Sequence, residues 1–408
     1  MAKLNVPSQR TTIHDISDDL LEVVLLHIPS TAGVIRAAAT CKLWRRVIGD
    51  AGFRRRFRRL NGPHILGHYY YYERSGTEFL PFPATPPAWQ IAVDDIGARV
   101  SLYFLTTSYA NLNYAELHDS RCGLLALYHF GFGIIVCNPW TRQDRQIYLP
   151  MPMVNTSMHY LGIFLLDADP DDETGTDMNM SNFRVLCVRL IHYHHDGSKI
   201  VEASVFSARN DRRWLLLSNM AICDVIPGRG VFGSRLVLVG RAGGSICWST
   251  KSSNVVLHLD EGTGEFSLFT LPVNAGVDIN LLSYNRMELR VIGGDFGTVH
   301  LVRIVGGDIE VLRYARRGAC VVERRVRVPQ AASTEDDRRE LRRVWCFFDR
   351  AEAASPGSIA LCDVLCDAEF VRKFSADVQN LKLERVKWRK DGGRTFPYEL
   401  PWTISACL

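Results

Sequence analysis

The chain has no long apolar run. Stretches such as Leu161 to Leu166 fall far short of the ~20 residues that a membrane-crossing helix needs. It also lacks a dominant charge: 48 basic residues stand against 44 acidic ones, a net of +4. Bulk charge therefore points to neither a nucleic acid nor a membrane surface as partner. A closely spaced, paired cysteine framework is missing as well. The eleven cysteines are odd in number and scattered from Cys41 to Cys407, many within apolar runs such as Leu186-Cys187-Val188 and Ile246-Cys247-Trp248. Such usage fits buried free thiols in a reducing compartment. Met1 to Arg10 has no apolar core of the kind a secretory signal carries. The expectation is a soluble protein of the cytoplasm or nucleus.

What is present changes character near residue 60. Before it, the apolar spacing is helical. Ser17 is placed to cap a helix with Asp18 and Asp19 in its first turn, and Leu20, Leu21, Val24, Leu25 and Ile28 follow at helical intervals until Pro29 stops it. A second helical stretch is expected from Gly33 to Asp50, carrying Val34, Ile35, Ala38, Ala39, Trp44, Val47 and Ile48, with Gly49 and Gly52 breaking it. Helices this short bury little surface and are marginal alone. They also hold more apolar residues than one small core needs, so a partner that completes them is a physical expectation.

Beyond residue 60, helical periods almost vanish. Short apolar runs recur between Gly, Pro, Asn and Asp, for example at Gly123–Tyr128, Gly133–Cys137, Phe183–His192, Leu236–Gly240, Val255–Leu259, Glu288–Ile292, Thr298–Ile304, Arg343–Phe348 and Ile359–Leu361. This pattern excludes an alternating α/β fold and leaves a sandwich, barrel or propeller. A degraded repeat favours the propeller. Cys137 to Pro150, Ser245 to Pro272 and Ser358 to Phe374 each read as strand, polar turn, strand. At about 40–50 residues per unit, residues 88–408 would hold roughly six to eight blades. Residues 59–87, with the run Tyr69 to Tyr72 and the proline-rich piece Pro81 to Pro87, read as a linker; the tyrosine run itself reads as a strand packed on the next domain. Asp167 to Asp177 and Ala331 to Glu340 read as exposed insertions.

Four constellations could carry chemistry. Arg54 to Arg59 is the densest basic run; it reads as a solvated helix end rather than a nucleic-acid contact. Gly228-Arg229-Gly230-Val231-Phe232-Gly233 spells a dinucleotide fingerprint, but it leads into a strand where phosphate binding requires a helix N-terminus. His192, His194 and His195 precede an Asp196-Gly197 turn without a matching ligand pair nearby, and Cys362 and Cys366 lack a second cysteine pair. No nucleophile elbow appears. These readings leave no catalytic residue, no cofactor and no metal.

The first stretch resembles the F-box family. That family opens on leucine-proline, continues with a paired-leucine helix and a second leucine-proline, and ends on a Cys-Lys-x-Trp-Arg signature. Here these stand as Ile16-Ser17, Leu20-Leu21, Ile28-Pro29 and Cys41-Lys42-Leu43-Trp44-Arg45, with Phe53 closing. Serine replaces the first proline and can cap the helix in its stead. The remainder is similar to the propeller-like domains that follow F-boxes in large plant families, on the strength of Asn138-Pro139-Trp140-Thr141-Arg142, Glu265-Phe266 to Leu271-Pro272, and Phe396 to Trp402. The resemblance implies a small all-α F-box module at 11–58 and a large all-β domain, a β-propeller, at 88–408. It implies a non-catalytic subunit that docks a Skp-type adaptor, and through it a cullin–RING ubiquitin ligase, while presenting an unknown substrate protein. Ile16, Leu20, Leu21, Val24, Leu25, Ile28, Pro29, Val34, Cys41, Lys42 and Trp44 would be the adaptor-binding residues. The reading from another class is a ligand-binding or enzymatic propeller behind an unrelated helical module. It would show converging carboxylates or aromatic stacks on one face.

Overall fold

The computed structural model describes residues 16–28, 31–61, 65–72, 76–81, 97–109, 112, 115–149, 156–167, 178–209, 213–222, 236–250, 255–272, 289–293, 299–305, 308–315, 319–327, 346–348, 358–363, 372–377, 382–386 and 394–399. Among the described residues, helices come first and a β-propeller follows.

Four helices come first: α1 (Asp18–Leu26), α2 (Thr31–Thr40), α3 (Lys42–Gly49) and α4 (Ala51–Asn61). Ser17 caps α1, its hydroxyl accepting from the Leu20 amide at 3.4 Å. The single helix expected over 33–50 is two. Thr40 turns its hydroxyl onto the Ala37 carbonyl at 2.7 Å, and Cys41 is extended, with φ −155° and ψ 165°. The basic run does not merely trail off after Gly52. Asp50 is extended, and its carboxylate accepts the Phe53 amide at 2.9 Å. That cap starts α4 and overrides the two glycines.

Five four-stranded antiparallel blades follow among the described residues. Blade 1 is β3 (Glu116–Arg121), β4 (Leu124–His129), β5 (Gly133–Asn138) and β6 (Gln143–Ile147). Blade 2 is β7 (Thr156–Leu166), β8 (Arg184–Tyr193), β9 (Lys199–Ser207) and β10 (Trp214–Ala221). Blade 3 is β11 (Leu236–Ala242), β12 (Ser245–Thr250), β13 (Val255–Asp260) and β14 (Phe266–Thr270). Blade 4 is β15 (Leu289–Gly293), β16 (Val299–Val305), β17 (Asp308–Ala315) and β18 (Ala319–Arg327). Blade 5 is β19 (Cys346–Phe348), β20 (Ser358–Asp363), β21 (Arg372–Asp377) and β22 (Lys382–Val386). Blades 3 and 4 are joined by one parallel bridge, Thr270 to Ala319.

A three-stranded sheet stands beside blade 1, built from β1 (Ile65–Tyr72), β2 (Gly76–Pro81) and the distant β23 (Arg394–Glu399), in the order β2-β1-β23. This corrects the domain boundaries. Residues 59–61 belong to α4, and the supposed linker contributes two strands, so the β domain starts at Ile65 rather than Ala88. The tyrosine run forms β1, as its strand character suggested. Among the described residues the blades number five, fewer than the six to eight expected. Their first strands begin at residues 116, 156, 236, 289 and 346, so long connections lengthen the repeat.

Blades stack because strand side chains alternate. In blade 1, Leu125, Leu127, Ile135 and Cys137 point to one side and pack with Tyr69, Phe396 and Tyr398 of the three-stranded sheet. Leu124, Ala126, Ile134 and Val136 point to the other and pack with Ile163, Leu165, Val185 and Cys187 of blade 2. Blade 2 turns Phe164, Leu186, Val188 and Val201 toward Ile246, Trp248 and Leu257 of blade 3. Blade 3 in turn sets Cys247, Val256 and Phe269 against Leu289, Leu301 and Leu312 of blade 4. Strands buried on both faces read as continuous apolar runs, which is why β4 and β5 were legible in the sequence. At the centre, β23 packs beside β3, β3 beside β7, β7 beside β11 and β11 beside β15. Gly240 makes the last approach possible. Its φ is +150°, and a Cβ there would lie 2.9 Å from the Val291 carbonyl oxygen.

Candidate partner-docking site

The helical module closes its own small core. Leu21, Leu25, Val34, Ala37, Ala38, Val47, Ile48, Phe53 and Phe57 are buried together, with Ile16, Ile28, Leu43 and Trp44 packed around them. Two ion pairs brace α1 from outside: Arg46 to Asp18 at 2.5 Å, and Arg56 to Glu22. Arg45 ties α3 to α2 through the Ala38 carbonyl at 3.2 Å.

Sequence reasoning named eleven adaptor-binding residues, and the fold divides them. Leu21, Leu25 and Val34 point inward and are consumed by the module itself. Ile16, Ile28, Cys41 and Trp44 are half-buried, Lys42 is exposed, and Pro29 lies outside the described residues. Leu20 and Val24 point outward, 61% and 54% exposed, and Val23 joins them at 51%. Positions 20, 23 and 24 fall on one helix face, so α1 carries an apolar strip that nothing in its own core covers. Val23 was missed because the leucine pairs drew attention first; its i+3 spacing from Leu20 was the available signal.

On the propeller, a polar cluster lies where β3, β7 and β11 meet. Arg241 donates to Glu261 Oε1 at 2.5 Å and Oε2 at 2.9 Å, to Asp119 Oδ2 at 2.7 Å and to the Leu165 carbonyl at 2.7 Å. Asp119 also accepts the Leu165 amide at 2.7 Å, and Arg121 pairs with Asp167 at 2.7 Å. Burial works against the Arg241 charge, but Asp119 and Glu261 more than offset it and hold the guanidinium firmly protonated. These groups are committed to one another across three blades. The cluster fastens blades together and offers no open acid or base.

The histidine and cysteine constellations lie partly within the described residues. His192 and His194 stand with ring centroids 5.1 Å apart at the end of β8, before the turn with Gly197 at φ +73°. Desolvation, with His194 and Lys199 nearby, lowers the His192 pKa. Among the described residues no group of three or more His, Cys, Asp or Glu is arranged to hold a metal. His258 bridges Ser267 through Nδ1 and Ser245 through Nε2, each at 2.9 Å, tying three strands of blade 3 together. Cys137, Cys187, Cys247 and Cys320 are buried and free. Burial pushes the Cys187 and Cys247 thiols up to about 12, far from a reactive thiolate. The residues 228–233, the segment 168–177, the insertion 331–340 and Cys366 lie outside the described residues.

No protein-family model matches the chain, and no curated protein matches it. Solved structures do. The β-propeller domain of Cps50 (Swd1) from Myceliophteria thermophila aligns at 10% identity with a TM-score of 0.32, over 69% of this chain and 88% of that one. A protein from Lactobacillus plantarum aligns at 12% identity and 0.34, over 70% and 88%. The periplasmic gluconolactonase of Pseudomonas aeruginosa aligns at 12% identity and 0.29, over 68% and 83%.

Proposed function

We propose that the chain is the substrate-receptor subunit of a Skp/cullin/F-box ubiquitin ligase. The observation that supports this best is the outward strip Leu20, Val23 and Val24 on a module whose own core is already closed. An apolar strip on a four-helix module is a docking face for a partner that supplies the missing cover. The Cys41-Lys42-Leu43-Trp44-Arg45 signature of the F-box resemblance begins α3 of that same module.

The division of labour follows. The helices dock the adaptor, and the propeller presents a target protein. Only residues 62–64 separate α4 from β1, a reach of about 10 Å at most. The docking module and the propeller are thereby joined by a short connection. Catalysis by the complex is then a matter of proximity, a tethered lysine meeting a high local concentration of thioester. No residue of this chain takes part in covalent chemistry. The protein works in the cytoplasm or nucleus.

The test is co-purification with a Skp-type adaptor. The structure makes Leu20→Asp with Val24→Asp the informative double variant, since both side chains are exposed, whereas Leu21 would unfold the module. Wild type should capture the adaptor and the double variant should not, with unchanged helical circular dichroism. Failure of wild type to bind several adaptors, or capture by the double variant at wild-type strength, defeats the reading.

A further inference from the structure

The two ends of the inner strands differ in chemistry. Near the C-terminal ends of β3, β7 and β11 the Arg241 cluster fastens the blades together. Nearer the other ends of β3 and β7, aromatic rings meet in the seam between blades 1 and 2. Tyr128 of β4 and Tyr160 of β7, both half-buried, stand with ring centroids 4.9 Å apart and planes tilted by 48°. The His118 ring lies edge-on to Tyr128, with centroids 6.2 Å apart. A β-bulge sets it there. The β3–β4 register slips between Leu117 and Asp119, so His118 is the extra residue, and bulges re-aim side chains.

Carboxylates stand at the same seam. Glu116 lies directly across from Tyr128 in the register, and its side chain is 32% exposed. Its Oε2 is 3.7 Å from His118 Nε2, too far for a hydrogen bond. That Nε2 is buried and has no hydrogen-bond partner among the described residues. Arg189, opposite Tyr160, donates to Glu202 at 2.8 Å, so those two charges match. Glu116 adds a further negative charge. A carboxylate has about four acceptor positions, so Glu116 can take N–H groups of a ligand beside the bonds it already makes. Burial, and then Cys187, raises the pKa of both tyrosines, and Glu116 adds to the rise at Tyr128. Both phenols therefore stay neutral, with electron-rich ring faces beside a carboxylate.

We infer that this seam is where the propeller grips its target, through an arginine side chain laid on the tyrosine rings with its guanidinium on Glu116. A cation binds an aromatic face within ~6 Å of the centroid, so rings 4.9 Å apart serve one guanidinium together. Arginine fits better than lysine, because a planar guanidinium stacks on rings and offers paired N–H groups to a carboxylate. In the tautomer that leaves Nε2 bare, His118 accepts a further one. That the arginine belongs to a target protein rests on the substrate-receptor reading; the cation site itself does not.

Fluorine NMR of the full chain labelled with fluorotyrosine tests it, with Tyr128→Phe and Tyr160→Phe assigning the two signals. Acetyl-arginine amide should shift both signals saturably at millimolar concentration, the range open to so small a ligand. A glycine-serine peptide carrying one arginine should bind at least as tightly, and acetyl-norleucine amide should not bind. Glu116→Gln should weaken arginine binding about tenfold. Glu116→Lys should abolish it, with the thermal midpoint and adaptor capture unchanged. Absence of a shift with arginine overturns the site, as does norleucine binding of equal strength or full binding by Glu116→Lys. Free arginine that binds while the peptide is excluded makes the ligand a small molecule and overturns the assignment to a target. Shifts that depend on Glu116 in a chain that captures no adaptor support the site and defeat the receptor reading alone.

Discussion

Arg241 shows how a single residue can hold a propeller together. Its guanidinium reaches Asp119 on β3, the Leu165 carbonyl on β7 and Glu261 beyond β13, so one planar fork spans three blades. Removing it would leave Asp119 and Glu261, two largely buried carboxylates, with Arg121 at 3.9 Å from Glu261 as the remaining nearby cation. Breaking a buried pair from one side costs about 3–5 kcal/mol. Arg241→Met should therefore lower the unfolding free energy by an amount of that order, read from urea titration. Arg241→Lys should recover only part, because an ammonium cannot make the forked contact with Glu261. His68, on β1, titrates the same domain. Burial lowers its pKa to about 4 from an ordinary 6.5. The folded state thus binds fewer protons than the unfolded one between those values. Stability from this group is complete above pH 6.5 and falls as pH drops toward 4. Between pH 7 and 5 the loss should be about 2 kcal/mol. His68→Gln should flatten that slope in urea titrations at the two pH values.

At the scale of elements, β23 closes the structure. It lies between β1 and β3, and Tyr398 stacks edge-on to both Tyr69 and Phe79 with centroids 5.4 Å and 6.0 Å away. Tyr398→Ala should cost about 3–5 kcal/mol, the usual range for emptying a buried aromatic site. Denaturant unfolding measures it. β23 also illustrates what sequence could and could not reveal. The run Phe396 to Trp402 stood out, but the pairing of Arg394 to Phe396 with Tyr69 to Tyr71 spans over three hundred residues and leaves no local mark. For the same reason β1 and β2 passed for a linker, since proline at 81 and beyond dominated the local signal. Strands buried on both faces, such as Ile134 to Cys137, were legible because apolar runs bounded by turns survive any context. The break at Cys41 was not, because it rests on Thr40 bonding back to Ala37 and on backbone angles rather than on a glycine or proline. In the docking strip, helical spacing fixed which residues share a face, but not that Leu21 and Leu25 would be taken by the module's own core.

At the scale of the whole molecule, the hydrophobic clusters decide how the protein unfolds. In the propeller, blades 1 to 3 each share their apolar residues with both neighbours, so none of the three has a core of its own. A ring built this way loses its blades together, since removing one exposes the faces of two others. The helical cluster is different. Among the described residues it is composed of residues between Ile16 and Phe57 and contains no propeller side chain. Four short helices with so small a core are also the weaker unit. Calorimetry of the full chain should therefore show two transitions, a small one at lower temperature for the helices and a large one for the propeller. Leu25→Ala, which empties a fully buried site in the helical core, should lower the first midpoint and leave the second in place. Saturating adaptor should raise the first midpoint, because a ligand that binds only the folded module stabilises that module. One merged transition that shifts as a whole with Leu25→Ala would mean that the helices and the ring fold as one body.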